Sequence, residues 1–346
     1  MDKPLHKHIT IDLLLAVAHK TVLHPVIPWF LPLAFRAQAF HYHQPQFYLS
    51  ALYALAVTAL WLLQRLNTAL AFGPPRAFDW TEELVLITGG ASGLGLLIAE
   101  VYGMRGVTVA VLDRHVPPEG EREAGPNVHF FQCDVGSAAA VEAASARVTA
   151  ELGGPVTVLI NNAAVVRGTS LLDATVDDVE DSFRTNIFAH YHTLRAFLPG
   201  MVAAGRGTVV TVSSVQATLS AARGCALYAP TKAATSALHH ALTAELAPLH
   251  PGIKTLLVTP GQMGTPLFAG VQTPSPFWAP VLEPVDVAKE VITAIDQGRA
   301  GELAMPAYVR WAPFYWVLPA SVRAAARAWS GMDRAMESFR GRAKVE

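Results

Sequence analysis

A tyrosine and a lysine stand four positions apart in "ALYAPTKAA", residues 226–234. On a helix, positions i and i+4 share a face, so Tyr228 and Lys232 would open into one cleft. A free phenol titrates near pH 10 and is a poor base at neutrality. An ammonium held within a few ångströms favours the phenolate and lowers that pKa, which makes the pair a device for moving a proton. Pro230 lies between them and is compatible with a helix only in its first turn, where a missing amide has no intrahelical partner. The spacing therefore predicts a helix that begins near Tyr228.

The second feature is "TGGASGLG", residues 88–95, which closes the apolar run "LVLIT" and opens the helical stretch "LGLLIAEVYGM". A strand, a glycine turn and a helix in that order form the context in which a dinucleotide pyrophosphate meets free helix N-terminal amides. Gly89 permits the tight turn, Gly93 the approach of backbone to pyrophosphate, and Gly95 the close packing of helix on strand. Asp113 ends the next apolar run, where a carboxylate binds the adenosine ribose hydroxyls and repels a 2′-phosphate. That favours NAD, whereas Arg114 beside it would accommodate NADP.

Elements that could position these groups alternate along the chain. Short β-branched runs at 84–88, 107–112, 128–132, 156–160, 208–212 and 254–259 are separated by helix-length, Ala-rich segments. Runs apolar on both faces belong in a parallel sheet covered by helices on either side, a doubly wound α/β fold.

The chain has 346 residues, 52% of them hydrophobic and 15% charged, with a net charge of −1. Near-neutral charge offers no footprint for nucleic acid. Cys133 and Cys225 cannot make a disulfide framework and have no metal-ligand spacing. His6, His8, His41 and His43 lack an acidic or cysteine cluster beside them, so no metal site is expected. The apolar excess concentrates in residues 1–72. Residues 47–63, "FYLSALYALAVTALWLL", are uncharged and just long enough for a span, with Tyr48, Tyr53 and Trp61 as interfacial aromatics. Residues 13–35 are apolar but broken by prolines, as in an interfacial or re-entrant segment. Residues 73–82 read as a linker. Arg65 and Arg76 after the run outnumber Arg36 before it, which favours a cytosolic catalytic domain.

The glycine spacing is T-G-x-x-x-G-x-G, and with it the chain resembles the short-chain dehydrogenase/reductase superfamily over about residues 83–305. The resemblance rests on ordered motifs. "CDV" supplies Asp134 and Val135, "NNAA" supplies Asn162, "RTNIFAH" supplies Asn186, "VSSV" supplies Ser214, "YAPTK" supplies Tyr228 and Lys232, and "PGQMGT" supplies Thr265. It implies a Rossmann-like catalytic domain with a tetrad of Asn186, Ser214, Tyr228 and Lys232. Ser214, the second serine of its pair, would hydrogen-bond the reacting oxygen, Lys232 would also bind the nicotinamide ribose, and Asn186 would hold a water. It implies a cofactor site of Gly89, Ser92, Gly93, Leu94, Gly95, Asp113, Asp134, Val135, Asn162, Tyr228, Lys232 and Thr265, holding NAD or NADP. Ala164 departs from the family's usual N-N-A-G.

The apolar N-terminus resembles that of retinol and hydroxysteroid dehydrogenases of the endoplasmic reticulum or lipid droplets. The expectation is a membrane-associated dehydrogenase/reductase for a lipophilic alcohol and its carbonyl, with a homodimer through the helices bearing Asn186 and Tyr228. A carbonyl reductase of a secondary-metabolite pathway, and a non-catalytic cofactor-binding scaffold on lipid droplets, are the alternatives. Residues 262–284 correspond to the substrate loop, with Met263, Leu267, Phe268, Phe277 and Trp278 as its apolar lining. Residues 306–346 read as an amphipathic tail carrying Arg310, Arg323 and Arg327, which either anchors at an interface or caps the core.

Overall fold

A computed structural model of the chain describes residues 9–118, 124–220, 223–273 and 275–341. His6 and His8 lie outside the described residues. The chain divides into two compact units, Met1–Pro74 and Pro75–Glu346.

In the first unit, helix α1 (Ile11–Lys20) is capped by Thr10, whose side chain accepts from the Leu13 amide at 3.2 Å. Helix α2 (Phe30–Ala37) follows a proline-initiated turn. Helix α3 runs over Pro45–Phe72, 28 residues with proline in its first turn. It extends beyond the apolar run at 47–63 because Gln64, Arg65, Asn67 and Thr68 do not interrupt helical geometry. At 1.5 Å per residue it is about 42 Å long, more than the roughly 30 Å of a bilayer's hydrocarbon core. Polar groups fold residues 22–37 against it: Tyr53 donates to the Val22 carbonyl at 2.6 Å, and Thr58 donates to the Pro25 carbonyl at 2.9 Å.

The second unit is built on seven parallel strands: β1 (Leu84–Thr88), β2 (Thr108–Asp113), β3 (Val128–Gln132), β4 (Val158–Asn161), β5 (Gly207–Val212), β6 (Ile253–Pro260) and β7 (Gly301–Met305). Their order is β3-β2-β1-β4-β5-β6-β7. Side-chain alternation divides each strand between two cores. Val85, Ile87, Val109 and Val111 face Ile98 and Tyr102 of α4 (Gly93–Met104) and Val291 and Ile295 of α10 (Pro284–Asp296). Leu84, Leu86, Ala110 and Leu112 face α5 (Ala138–Leu152), α7 (Ala189–Ala204) and α9 (Tyr228–Leu249). Between α5 and α7 lie β4 and the short α6 (Val176–Phe183); α8 (Gln216–Leu219) precedes α9. Because the strand order reverses between β1 and β4, a crevice opens beyond their carboxyl ends, where such sheets bind ligands.

Three features differ from the sequence reading. Strand β7, "GELAM", has no β-branched residue and only Leu303 buried, so it carries no strand signal of its own; pairing with β6 makes it an edge strand. The stretch read as a linker is folded onto the sheet from Arg76 onward. Arg76 pairs with Glu83 at 2.6 Å, both side chains nearly inaccessible, and donates to the Thr157 carbonyl and Thr208 Oγ1. Arg76 is therefore neutralised inside the second unit and does not count with Arg65 as a charge flanking the apolar run. Phe78 and Trp80 stack at 4.7 Å, and Trp80 continues onto Tyr102 at 4.9 Å.

Removing one partner of a buried ion pair strands the other's charge and typically costs about 3–5 kcal/mol. Glu83→Gln should lower the unfolding free energy by that order, with an apolar pair at both positions recovering part of it, as measured by denaturant titration in detergent.

Candidate active site

Helix α9 begins at Tyr228, so Pro230 sits in its first turn and the tyrosine and lysine project from the same buried face. Tyr228 and Lys232 are 3% and 1% exposed, with the lysine Nζ 5.9 Å from the centre of the phenol ring. Lys232 Nζ donates to the Val212 carbonyl at 2.8 Å. The two serines after β5 divide their work. Ser213 Oγ donates to the Lys232 carbonyl at 3.1 Å and shares a hydrogen bond with Ser236 at 2.7 Å, which fixes α9 to the strand end. Ser214 hydrogen-bonds with Tyr228 and accepts from the Gln216 amide at 3.2 Å.

Spacing alone leads one to expect Lys232 to draw the tyrosine pKa down. In the protein itself burial dominates and pushes the Tyr228 phenol above its ordinary value; the Ser214 hydrogen bond acts the other way, and the nearby Cys225 thiol adds to the rise. Burial also lowers Lys232, to about 8. Burial, then the charge of Lys232, hold His190 down at about 3, so this imidazole is neutral.

Asn186 lies in a wide, π-helical turn, Arg184–Phe188, between α6 and α7. Such turns free backbone groups from the regular helical ladder. Its side chain is fully engaged: Oδ1 accepts from the Val165 amide at 2.8 Å, and Nδ2 donates to the Val165 carbonyl and to Thr231 Oγ1, each at 3.0 Å. Thr231 in turn donates to the Tyr228 carbonyl at 2.7 Å. Asn186 thus links the loop after β4 to the first turn of α9.

The glycine turn is packed from below. Gly89 adopts φ +65°, and a Cβ there would press on Ala163; a Cβ at Gly95 would strike the Gly89 carbonyl and the Asn162 amide. Asn162 Nδ2 donates to the Thr88 and Gly89 carbonyls at 3.1 and 3.0 Å, and its backbone amide donates to Thr88 Oγ1 at 3.0 Å. Its visible task is to hold the turn. Thr88, to which the sequence reading assigned no role, accepts also from the Ala163 amide at 3.1 Å; its place at the head of the T-G motif was the available signal. Ser92 caps α4 in extended backbone, Gly93 follows at φ +58°, and Leu94 is buried.

Asp113 Oδ2 accepts from the Ala91 amide and Oδ1 from the His115 amide, both at 3.1 Å. Arg114 turns to Asp181 at 3.8 Å, which Arg167 and Arg184 also approach. Asp134 Oδ1 accepts from the Gly136 amide at 2.9 Å, and Val135 is buried beside it. Thr265 faces Gly93 across the crevice, and its buried Oγ1 has no hydrogen-bond partner among the described residues. An unpartnered buried hydroxyl opposite a left-handed glycine at a helix N-terminus fits a dinucleotide whose carboxamide and phosphates would complete those bonds.

Of the apolar residues assigned to the substrate loop, Phe268 reaches the site, meeting the Tyr228 ring edge-on at 5.9 Å. Met263 instead belongs to the core under α10, and Phe277 packs against the exposed Trp278. No group of metal ligands is present among the described residues.

Residues 83–275 match the short chain dehydrogenase family. The chain is 32% identical over 300 residues to short-chain dehydrogenase/reductase 3 of Homo sapiens, covering 85% of this chain and 98% of that protein. It is 34% identical over 270 residues to epidermal retinol dehydrogenase 2 of Mus musculus, covering 76% and 86%. A crystal structure of a metagenomic short-chain oxidoreductase in complex with NADP superposes with a TM-score of 0.55 at 27% identity, over 65% of this chain and 96% of that one.

Two outcomes follow from the site. Asp113→Ala should shift the ratio of NAD to NADP affinity toward NADP by about tenfold, roughly 1.4 kcal/mol, read by titrating the reduced cofactors by fluorescence. Lys232 bears on stability as well. Its folded pKa, about 8, lies below the ordinary 10.5, so charging it opposes folding fully below pH 8 and not at all above 10.5. Between those limits, melting curves of Lys232→Met against the unchanged chain should move steadily in favour of the lysine as pH rises.

Proposed function

The chain belongs to the short-chain dehydrogenase/reductase family, whose members are NAD(P)-dependent oxidoreductases, and from that premise we propose that it interconverts a lipophilic alcohol and its carbonyl at a membrane. The observation that carries the reading is the convergence of Ser214, Tyr228 and Lys232 at the head of α9, beside the crevice at the glycine turn.

A bound nicotinamide supplies the hydride acceptor or donor. The chain's own residues do the rest. Ser214 and the Tyr228 hydroxyl together hold the substrate oxygen. The Tyr228 phenol, kept protonated by burial, gives a proton to a carbonyl oxygen as that carbonyl is reduced and is left as the phenolate; in the reverse direction the phenolate takes the proton from the alcohol and becomes the phenol again. Lys232, tied to the Val212 carbonyl, stands behind the ring to stabilise the phenolate when it forms, and has its own bonding capacity left for the cofactor ribose. Asn186 fixes the loop after β4 and, through Thr231, the start of α9. Gly93 and the free amides of the α4 N-terminus receive the phosphates, with Gly89 making the turn and Gly95 the close packing beneath it; Asp113 receives the adenosine ribose, Asp134 and Val135 the adenine, and Thr265 the carboxamide. NAD is the preferred cofactor on the strength of Asp113, with NADP the alternative.

Support for a lipid substrate and a membrane address comes from three sides. Helix α3 is long and apolar enough to cross a bilayer. Residues 307–329 leave Trp311 and Trp329 exposed at 68% and 83%, among arginines and without an acidic residue. A relative of similar length carries the name retinol dehydrogenase. Retinoids, steroids and long-chain alcohols are the candidate substrates. The reticulum or a lipid droplet is the proposed compartment, with the catalytic unit in the cytosol and a homodimer through α7 and α9.

The deciding assay measures nicotinamide turnover by the full-length, membrane-bound protein with each substrate class. Tyr228→Phe should reduce turnover by about 10²–10⁴-fold while still binding cofactor; turnover equal to the unchanged chain would refute the assignment. With the phenol raised, reduction should persist through neutral pH and oxidation should accelerate as pH rises toward the Lys232 pKa of about 8.

A further inference from the structure

After α11 (Ala320–Ser330), the chain turns at Met332–Arg334 and runs back over the catalytic unit to Gly341. The turn is anchored by Arg327, which donates to Asp333 at 2.6 Å. Beyond it the side chains separate by character. Ala335, Met336 and Phe339 face inward, while Arg334, Glu337 and Arg340 are exposed.

Three loops surround Tyr228, and this segment touches all of them. From the substrate loop, Gln272 donates its amide to the Ala335 carbonyl at 3.0 Å. The Arg340 amide donates back to the Ala269 carbonyl at 2.9 Å. Gly270 sits at φ +86° directly under Ser338, where a Cβ would run into the Ser338 carbonyl. From the loop after β4, Gly168 lies against the Phe339 ring so closely that a Cβ would enter it. From the loop before α9, Gly224 faces Met336, which a Cβ at that position would meet at 3.5 Å. Met336 forms a small apolar cluster with Cys225 and Ala229, and Val166, Val271 and Phe339 complete it. Cys225 and Ala229 flank Tyr228 in sequence, and Phe268, on the loop held by Ala335 and Arg340, meets the Tyr228 ring.

Among the described residues, none of 332–341 belongs to either core that covers the sheet. The segment is therefore not needed to bury the sheet, and its contacts gather at the mouth of the catalytic cleft. We propose that residues 332–341 form the closing wall of the substrate cleft, and that Met336 and Phe339 limit how far the apolar part of a substrate can extend beyond Tyr228. This rests on the dehydrogenase reading above for the word substrate, but the wall itself rests on the contacts. A thioether and a phenyl ring present no hydrogen-bonding group, so the end they close takes hydrocarbon.

The test uses the full chain in detergent and a homologous series of straight-chain alcohols. In the Tyr228→Phe background, which binds without turning over, each alcohol displaces the fluorescent probe 1-anilinonaphthalene-8-sulfonate. Affinity should rise with length and then level off. Phe339→Ala, and the milder Phe339→Leu and Met336→Ala, should move that limit to longer chains, raising the long-to-short affinity ratio by about tenfold, with the cofactor dissociation constant unchanged. In the catalytically intact chain the same ratio should appear in kcat/KM. A limit that stays in place in every variant, or a uniform loss at all lengths, overturns the wall. A moved limit in a chain that turns over none of these alcohols, and no retinoid or steroid, leaves the wall standing and removes the lipid-alcohol reading instead.

Discussion

Thr88 and Asn162 tie the carboxyl ends of β1 and β4 together at the point where the strand order reverses, and the rest of the site hangs from that seam. Two carbonyls at the end of β1 accept from the Asn162 side chain, and the Thr88 hydroxyl accepts from two successive amides after β4. At such a reversal the connections after the two paired strands leave to opposite sides of the sheet, and the terminal backbone groups would otherwise be left in the crevice without partners. Closing it from below sets the height of the glycine turn, and so of the α4 N-terminus. The close approach leaves no room for a Cβ at Gly89 or Gly95. Val165, three residues past Asn162, then clamps Asn186, which reaches Thr231 and the first turn of α9. One short network thus fixes the glycine turn and the start of α9 relative to each other.

Burial shapes the chemistry more than pairing does. Tyr228, Lys232 and His190 share one dry region between α7, α9 and β5, and each is displaced toward its uncharged form. Keeping a cationic lysine there opposes folding, and its hydrogen bond to the Val212 carbonyl only partly offsets that. Sites that retain such groups trade stability for reactivity. The result is a phenol that holds its proton through neutral pH.

The two ends of the chain have opposite character. The first unit exposes most of its apolar side chains, as a segment solvated by lipid would. The last residues divide their work: Val309 and Ala312 pack against Val215 and Leu219 beside the Ser214 loop, and nearby aromatics remain exposed. Capping of the core and exposed aromatics are both present in the tail. They fall on different side chains of the same turns.

What residue types and short spacings encode was legible in the chain by itself. Short apolar runs marked β1 to β6; five of these are inner strands, which are covered on both faces and must be apolar throughout, and β3 lies at the edge. Pro230 marked the start of α9, because the ring tolerates only a first turn, and the glycine pattern marked the α4 N-terminus. The positions of Asn186, Ser214, Tyr228 and Lys232 were likewise readable as motifs. Tertiary structure decided whatever depends on partners distant in sequence. Strand β7 exists because β6 offers it an edge, and "GELAM" has no propensity that announces this. Arg76 became an internal counter-ion because Glu83, Thr157 and Thr208 converge on it from 7 to 132 residues away. Ser213 and Ser214 are indistinguishable as a dipeptide, and only the position of α9 gives one to Lys232 and Ser236 and the other to Tyr228. The direction of the tyrosine pKa reversed for the same reason, since a four-residue spacing specifies proximity but burial is set by the whole fold.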